Sequence, residues 1–176
     1  MPTLGLDALP ARLAAEPLRP AYLIAGAETL LVLEAADAVR AAAREQGCSE
    51  RETFEADARG FDWNGFAAQV NAPSLFSPRR LLELHLPTGK PGKEGGELIA
   101  GFCADPPPDV TLLVLAGAWS RQHGGKWSEA VSRIGHFVEV REVRVHELPN
   151  WLERRLRSRG LRADPGAVQL DRKSVG

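Results

Sequence analysis

The sequence predicts an α/β fold, a parallel-type sheet flanked by helices, followed by the start of a small helical domain. Short apolar segments alternate with Ala- and Leu-rich segments of helical length, which is the order expected of βαβ units. Residues 110–116 read Val-Thr-Leu-Leu-Val-Leu-Ala, a near-continuous apolar run typical of a strand covered on both faces. Together these patterns favour a sheet with helices on both sides.

Length and composition fit one domain, or one domain plus a fragment of a second, because the chain has 176 residues and 44% of them are hydrophobic. A net charge of -1 excludes a global field that would draw the chain to nucleic acid or to an anionic membrane. Cys48 and Cys103 lack CxxC spacing, which argues against a zinc site and a disulfide framework. No signal peptide and no apolar run of about 18 residues is visible, so we expect a reduced, cytoplasmic location and no membrane partner.

The first part of the chain predicts an arm, a strand and a helix. Residues 1–20 hold several prolines and little periodicity, and we expect an N-terminal arm with a short helix. Residues 21–26 form a short apolar run ended by glycine, which suits a buried strand. Residues 28–46 predict a helix that ends at Gly47. Its apolar stripe is mixed and consists of Leu30, Leu33, Ala36 or Asp37, Val39 or Arg40, and Ala43.

The remaining elements of the sheet follow in order. Residues 51–56 alternate charged residues with Thr53 and Phe54 and predict a second strand. Asp62 is the expected N-cap of a helix with Trp63, Phe66, Ala67 and Val70 on one face. Further along we predict strands over 81–86, 110–116 and 137–140, helices over 98–104 and 127–134, and a Gly/Lys loop over 88–96.

The character of the sequence changes near its end. We assign 21–142 to the α/β domain and 143–176 to the beginning of a truncated, helical lid-like domain. An Arg-rich helix is predicted over 149–160, and Asp164-Pro165 predicts the start of another. The tail 171–176 has no apolar face, and we expect a truncation or a cloning scar there.

Leu75 and Phe76 form the most informative pair in the sequence. They lie in a turn-like segment between Pro73 and Pro78, where a regular helix or central strand is disfavoured. One interpretation is that the pair folds back as a cap on its own domain. The other is that it is a hydrophobic plug offered to a partner's pocket, since a few such anchors carry most of an interface's energy.

A phosphate-binding loop is not supported after the first strand. Gly26 is followed by Ala27 and Glu28, without the second glycine and the lysine that such a loop requires. The Gly-Lys pieces 89–94 and 124–127 lack the same features, and we interpret both as solvated loops. A P-loop NTPase with a degenerate site is kept as an alternative.

Neither a cofactor, a metal nor a catalytic residue is expected. The four histidines are scattered without a second ligand three or four residues away, and no carboxylate pair or nucleophile–base arrangement stands out. The Arg-rich helix has two interpretations. Arg154, Arg155 and Arg157 lie on a solvated face, or they contact DNA or a neighbouring subunit. A DNA-binding module that uses the Arg-rich helix over 150–162 is therefore a second alternative.

Several motifs together resemble one family, the bacterial DNA polymerase III delta subunit, a clamp-loader component. Gly26 to Leu31 and the helix after it resemble the family's opening, although Ala27 and Thr29 depart from its usual pattern. The resemblance covers about residues 18–170. Its other pieces are Phe61-Asp62-Trp63, Ser74-Leu75-Phe76, Arg79-Arg80-Leu81, Leu86-Pro87, the loop from Gly89 to Gly95, Pro107-Pro108-Asp109, Lys126-Trp127 and the segment from Leu148 to Leu152.

The resemblance implies an AAA+-like module whose nucleotide site has decayed. It implies that the chain binds the sliding clamp, the beta subunit, and helps to open it for loading onto primed DNA. Leu75 and Phe76 would be the plug, with Ser74, Pro73 and Arg79 shaping the turn or its rim. In the full-length family the other partners are the gamma/tau and delta-prime subunits, and primed DNA is met indirectly. Nucleotidyl transfer would belong to the polymerase holoenzyme and not to this chain.

Overall fold

Five parallel strands form one sheet in the order β2-β3-β4-β1-β5, in a computed structural model that describes residues 2–57 and 59–162. The strands are β1 (Ala21–Ala25), β2 (Cys48–Glu55), β3 (Arg79–Leu86), β4 (Val110–Ala116) and β5 (His136–Glu139). Each pairs in parallel with its neighbours, so all five run the same way. The predicted α/β class with a parallel sheet is confirmed.

Helices connect the strands and precede the sheet. A 3-10 turn, Leu6–Ala8, leads into α1 (Leu9–Ala15). The remaining helices of the described chain are α2 (Thr29–Glu45), α3 (Trp63–Asn71), α4 (Gly92–Ala104), α5 (Lys126–Ile134) and α6 (Leu148–Ser158). Asp62 caps α3 as predicted, because its Oδ1 accepts the Gly65 N–H at 2.9 Å.

Helices cover both faces of the sheet. Successive residues of a strand point to opposite faces, so the contacts of neighbouring residues in β3 identify the helices on each side. Leu82 and Leu84 of β3 belong to the hydrophobic core that α3, α4 and α5 complete. Glu83 lies between them in sequence and points the other way, where its carboxylate binds Arg40 of α2 at 2.6 Å and 2.7 Å. This double coverage explains why β4 is buried at every position.

The helix predicted after β1 is present, and its buried face matches the predicted stripe only in part. Leu30 and Leu33 are 58% and 42% exposed. Ala36, Val39 and Ala43 of the predicted stripe are buried, together with Leu31, Val32, Ala35 and Ala42. Alanine is small enough to let a helix lie close against a sheet, so an Ala-rich sequence offers several faces of similar apolarity. The sequence pattern alone did not separate them.

The Gly/Lys loop predicted over residues 88–96 is largely wrong, since α4 already begins at Gly92. A Cβ built on Gly95 would lie 2.3 Å from the ring of Trp63. The glycine therefore lets α4 approach the indole of α3 closely. A run of glycines that indicates a loop by propensity is held in a helix by this packing.

Each edge strand of the sheet has a different environment. At one edge Leu4 forms a parallel bridge with Val138 of β5, and its N–H donates to the Phe137 carbonyl at 2.7 Å. At the other edge β2 pairs with β3 alone, and its outward positions include the exposed residues Arg51 and Glu55.

Contacts divide the chain into two units, residues 1–140 and 141–176. The first includes the segment 1–20, so the N-terminal arm lies within the same unit as the sheet. The division falls after Val140, two residues before the boundary expected at 142. In the second unit the structure describes α6, and the helix expected at Asp164-Pro165 and the tail 171–176 lie outside the described residues.

Candidate interaction surface

Leu75 and Phe76 are exposed at the tip of the connection between α3 and β3. Their exposed fractions are 81% and 88%, higher than those of the other exposed large hydrophobic residues in the described chain. Neither side chain contributes to the core of its own domain. The interpretation that the pair folds back as a cap is therefore wrong for this structure.

Backbone restraints turn the chain sharply before this tip. Ala72 follows α3 and is extended, with φ -68° and ψ 137°, because a residue before proline is disfavoured in helical conformation. The guanidinium of Arg80 then binds the end of the helix, donating to the carbonyls of Gln69, Val70 and Ala72 at 3.1 Å, 3.3 Å and 2.6 Å. Arg80 is 3% exposed, so a buried cation satisfies the final carbonyls of α3.

One carboxylate holds the tip itself. Oε1 of Glu50, on β2, accepts the Ser74 hydroxyl and the Phe76 N–H, both at 3.0 Å. The Ser74 hydroxyl also accepts the Ser77 N–H at 3.0 Å. Hydrogen bonds to an ionised acceptor are stronger than neutral ones. The apolar pair is therefore presented by a polar frame that exists without a partner.

Ser77 anchors the return of the chain into β3. It is 8% exposed, and its hydroxyl lies 2.5 Å from the Arg79 carbonyl and 3.3 Å from the Gly47 carbonyl. The same oxygen accepts the Ser49 N–H at 3.3 Å. This buried hydroxyl joins the loop to the residues that begin β2, so the base of the turn is fixed on two sides.

The structure places four of the five predicted plug residues on one loop and the fifth, Arg79, at the start of β3 directly after it. Pro73 and Arg79 are exposed on either side of the apolar pair, and Ser74 is half-buried beneath it. Sequence reasoning missed Glu50 and did not assign a role to Arg80. Glu50 lies in a strand of alternating charges where nothing distinguishes it from Glu52. The pairing of β2 with β3 is what places it at the loop.

The turn after β1 differs from a phosphate-binding loop in its chemistry. A cavity of about 140 Å³ lies at the carboxyl ends of β1, β3 and β4, lined by Gly26, Thr29, Val32, His85 and Gly117 among others. Its wall is mainly apolar, and the turn supplies Glu28 where a lysine would hold phosphate. The arrangement offers no cation to a nucleotide at this turn.

The arginines predicted on α6 have contacts within their own helix. Nη2 of Arg157 donates to Glu153 at 2.9 Å, and the guanidinium carbon of Arg155 lies 4.9 Å from the ring centroid of Trp151. Arg154 is exposed.

The described residues offer neither a metal site nor a membrane-spanning helix. No group of three or more His, Cys, Asp or Glu residues there is arranged to hold a metal ion. Among the described helices, none combines the length and apolarity needed to span a bilayer. Both cysteines are buried and unpaired, and burial raises the pKa of the Cys103 thiol to about 12, which disfavours the reactive thiolate.

Comparison with known proteins gives one consistent result. A family profile described as DNA polymerase III, delta subunit, matches residues 22–139. The DNA polymerase III subunit delta of Escherichia coli is 33% identical over 156 residues, covering 88% of this chain and 45% of that protein. The chain thus spans slightly less than half the length of this relative.

Solved structures extend the similarity to the fold. The Bacillus subtilis DNA clamp loader delta protein matches with a TM-score of 0.69 at 17% identity, covering 88% of this chain and 48% of that one. The Aeropyrum pernix ORC2 protein, which has the AAA+ fold, matches with a TM-score of 0.50 at 16% identity, covering 86% and 50%. The expectation of an AAA+-like module is confirmed for the fold.

Proposed function

The chain belongs to the DNA polymerase III delta subunit family, and on that premise we propose that it binds the sliding clamp through Leu75 and Phe76 and helps to open it during DNA replication. The observation that carries the proposal is the exposure of these two side chains, at 81% and 88%, on a turn that Glu50 and Ser77 already hold in place. The free protein gains no stability from exposing two large apolar side chains. Burying the pair in a partner's pocket would provide that stabilisation.

The energy available from this pair is suited to an interface anchor. Burying a leucine and a phenylalanine side chain contributes about 1.5–3 kcal/mol each from apolar area. The backbone of the turn is already ordered, so binding has to immobilise mainly the two side chains. Pro73, Ser74 and Arg79 would form the polar and semi-rigid rim around them.

The chain's part in replication would be mechanical and not catalytic. We infer that the clamp, the beta subunit, is its direct partner, that gamma/tau and delta-prime subunits are partners of the longer protein, and that primed DNA is reached through that assembly. The clamp-loading reaction takes place on DNA in the bacterial cytoplasm. Nucleotidyl transfer would be the work of the polymerase within the same holoenzyme.

The proposal is tested by Leu75→Ala combined with Phe76→Ala. We expect this double variant to lose most of its affinity for the cognate clamp in a pull-down or by surface plasmon resonance. Its thermal unfolding should be unchanged, because the side chains make no contribution to the core. A matched control is Leu30→Ala combined with Leu33→Ala. It also truncates two exposed apolar side chains, but on α2.

The control variant should bind the clamp as the unmodified chain does. Clamp binding that persists after both plug residues are truncated would disprove the assignment, as would equal losses in the two double variants. Arg154, Arg155 and Arg157 remain a separate proposal for a contact with DNA or a subunit.

A further inference from the structure

One side chain joins the point where the chain leaves the fold for the plug to the point where it returns. Ala72 is the last residue before the turn of residues 73–78, and Arg80 is the second residue after that turn. Nη2 of Arg80 donates to the Ala72 carbonyl at 2.6 Å. The guanidinium therefore closes residues 72–80 into a ring that carries Leu75 and Phe76 at its tip. This closed segment is called here the plug ring.

The charge that closes the plug ring is buried. Arg80 is 3% exposed, and within the described chain Arg80 and Glu83 are the two charged residues that are buried. Glu83 is compensated by Arg40, through hydrogen bonds of 2.6 Å and 2.7 Å. Arg80 has a weaker ion pair, because its Nε lies 4.0 Å from Oδ2 of Asp109. The buried guanidinium therefore depends on other acceptors.

Backbone carbonyls at the end of α3 are those acceptors. Nη1 of Arg80 donates to the Gln69 carbonyl at 3.1 Å, and Nη2 donates to the Val70 carbonyl at 3.3 Å as well as to Ala72. A buried charge without hydrogen-bond acceptors is strongly unfavourable. Since these carbonyls immediately precede the plug, any movement of the turn that displaces them leaves a buried cation unsatisfied. The same interaction that satisfies the cation thus restrains the turn.

Arg80 is itself held from the neighbouring strand. Its backbone N–H donates to the Asp109 carbonyl at 2.7 Å, where β3 and β4 begin side by side. Asp109 ends the loop between α4 and β4 and follows three consecutive prolines. Proline restricts the backbone, so this loop is a stiff support. The plug ring is thereby attached to a third segment of the chain, which is distant from it in the sequence.

We propose that Arg80 is a positioning residue for the plug and that the plug ring holds Leu75 and Phe76 in their binding geometry before a partner arrives. The identity of that partner, the sliding clamp, rests on the proposed function. Arg80 is too deeply buried to contact the clamp itself. Its effect comes from order, because a restrained tip loses less conformational freedom on binding than a mobile one. Asp109 supports the guanidinium from the other side.

Two variants of the full chain test this role, and two others serve as controls. Arg80→Met keeps the length of the side chain but removes its charge and its donors. Arg80→Lys keeps the charge but lacks the planar fork that reaches three carbonyls at once. Gly95→Ala is the stability control, since its Cβ overlaps the Trp63 ring at the opposite end of α3. Arg59→Met is the charge control, because it removes one positive charge from an exposed position.

The first measurement is ¹⁵N relaxation of the Phe76 amide in the free chain. In the unmodified protein and in both controls its order parameter should be about 0.85, the value of a rigid backbone. Arg80→Met should lower it toward about 0.6, where flexible segments begin, and Arg80→Lys should give an intermediate value. A Phe76 amide that is as ordered in Arg80→Met as in the unmodified chain would overturn the proposal, because the plug ring would then not hold the tip.

The second measurement is affinity for the cognate clamp by surface plasmon resonance. Arg80→Met should bind about tenfold more weakly, because the tip must then be ordered on binding. Arg80→Lys should bind about threefold more weakly, and both controls should stay within about twofold of the unmodified chain. Equal losses in Arg80→Met and Gly95→Ala would overturn the positioning role, since a general loss of stability would explain both.

The two measurements separate this proposal from the proposed function. If the unmodified chain does not bind the clamp, the proposed function fails, and the relaxation of the free chain alone decides whether the plug ring orders the tip. If Arg80→Met does not fold, Arg80→Lys decides: a reduced order parameter with weakened binding supports the proposal, and values equal to those of the unmodified chain overturn it.

Discussion

Glu50 and Phe76, 26 positions apart in the sequence, are joined by a 3.0 Å hydrogen bond from the Phe76 N–H to the Glu50 carboxylate. The bond links an edge strand to the tip of a loop whose two apolar side chains face solvent. The polar frame and the apolar tip are therefore parts of one device. Removing the frame should affect binding even though no plug residue is changed.

We expect Glu50→Ala to weaken clamp binding about tenfold, which is about 1.4 kcal/mol. The loss follows because two hydrogen bonds to an ionised acceptor disappear and the tip must be ordered on binding. Glu52→Ala, on the same strand and also half-buried, is the matched control and should bind normally. Titration calorimetry measures both. Equal affinities for the two variants would show that the tip does not depend on Glu50.

A pair of glycines in α4 gives a stability prediction with its own control. Gly95→Ala should destabilise the protein by about 1–3 kcal/mol, because its Cβ would overlap the Trp63 ring and force the packing between α3 and α4 to shift. Gly101→Ala should stabilise it by about 0.5–1 kcal/mol, since nothing lies within 4 Å of the new methyl and alanine favours a helix. Urea denaturation compares the two. Similar effects of the same sign would contradict the packing described here.

The Glu83 carboxylate predicts how stability changes in acid. Burial alone would raise the pKa of Glu83, but the hydrogen bonds from Arg40 and His85 hold it below its usual range. A carboxyl whose pKa is lower in the folded state stabilises the fold above its unfolded pKa of about 4.3. That stabilisation is lost as the pH falls through the folded pKa.

Glu83→Gln should therefore lower the free energy of unfolding by about 3 kcal/mol at neutral pH, because it leaves Arg40 without its main partner in a largely buried position. The difference from the unmodified protein should narrow as the pH falls below about 4.3. Denaturant titrations at a series of pH values measure this. Glu55→Gln, exposed on β2, serves as the control and should change little. If the difference in free energy of unfolding between Glu83→Gln and the unmodified protein does not change with pH, the role given to this ion pair is contradicted.

The strands were the most predictable part of the fold, for a physical reason. β4 was predicted with its observed bounds and β1 to within one residue, since a strand covered on both faces must be apolar throughout. The face of α2 was predicted only in part, because burial there depends on which alanines approach the sheet. The start of α4 depends on Trp63 filling the space that Gly95 leaves, a contact between distant residues.

For the plug too, the features set by neighbouring residues were predicted from the sequence, whereas those set by distant residues were not. Two prolines and a Leu-Phe pair predict a turn with apolar side chains at its tip, which the structure has. Whether those side chains fold inward depends on what lies below them. Glu50, Ser77 and Arg80 determine this, and they are polar residues brought together by the pairing of β2 with β3 and by the end of α3.

The two sheet edges bear on solubility. A molecule that keeps a leucine and a phenylalanine in water has little tolerance for other adhesive surfaces, and open strand edges are templates for cross-molecular β-pairing. The bridge from Leu4 occupies part of the β5 edge. On the β2 edge, exposed charged side chains such as Arg51 and Glu55 disfavour pairing with a strand of another molecule. Edge-to-edge association is thereby opposed at both ends of the sheet, so the exposed Leu75 and Phe76 would remain available to the proposed partner.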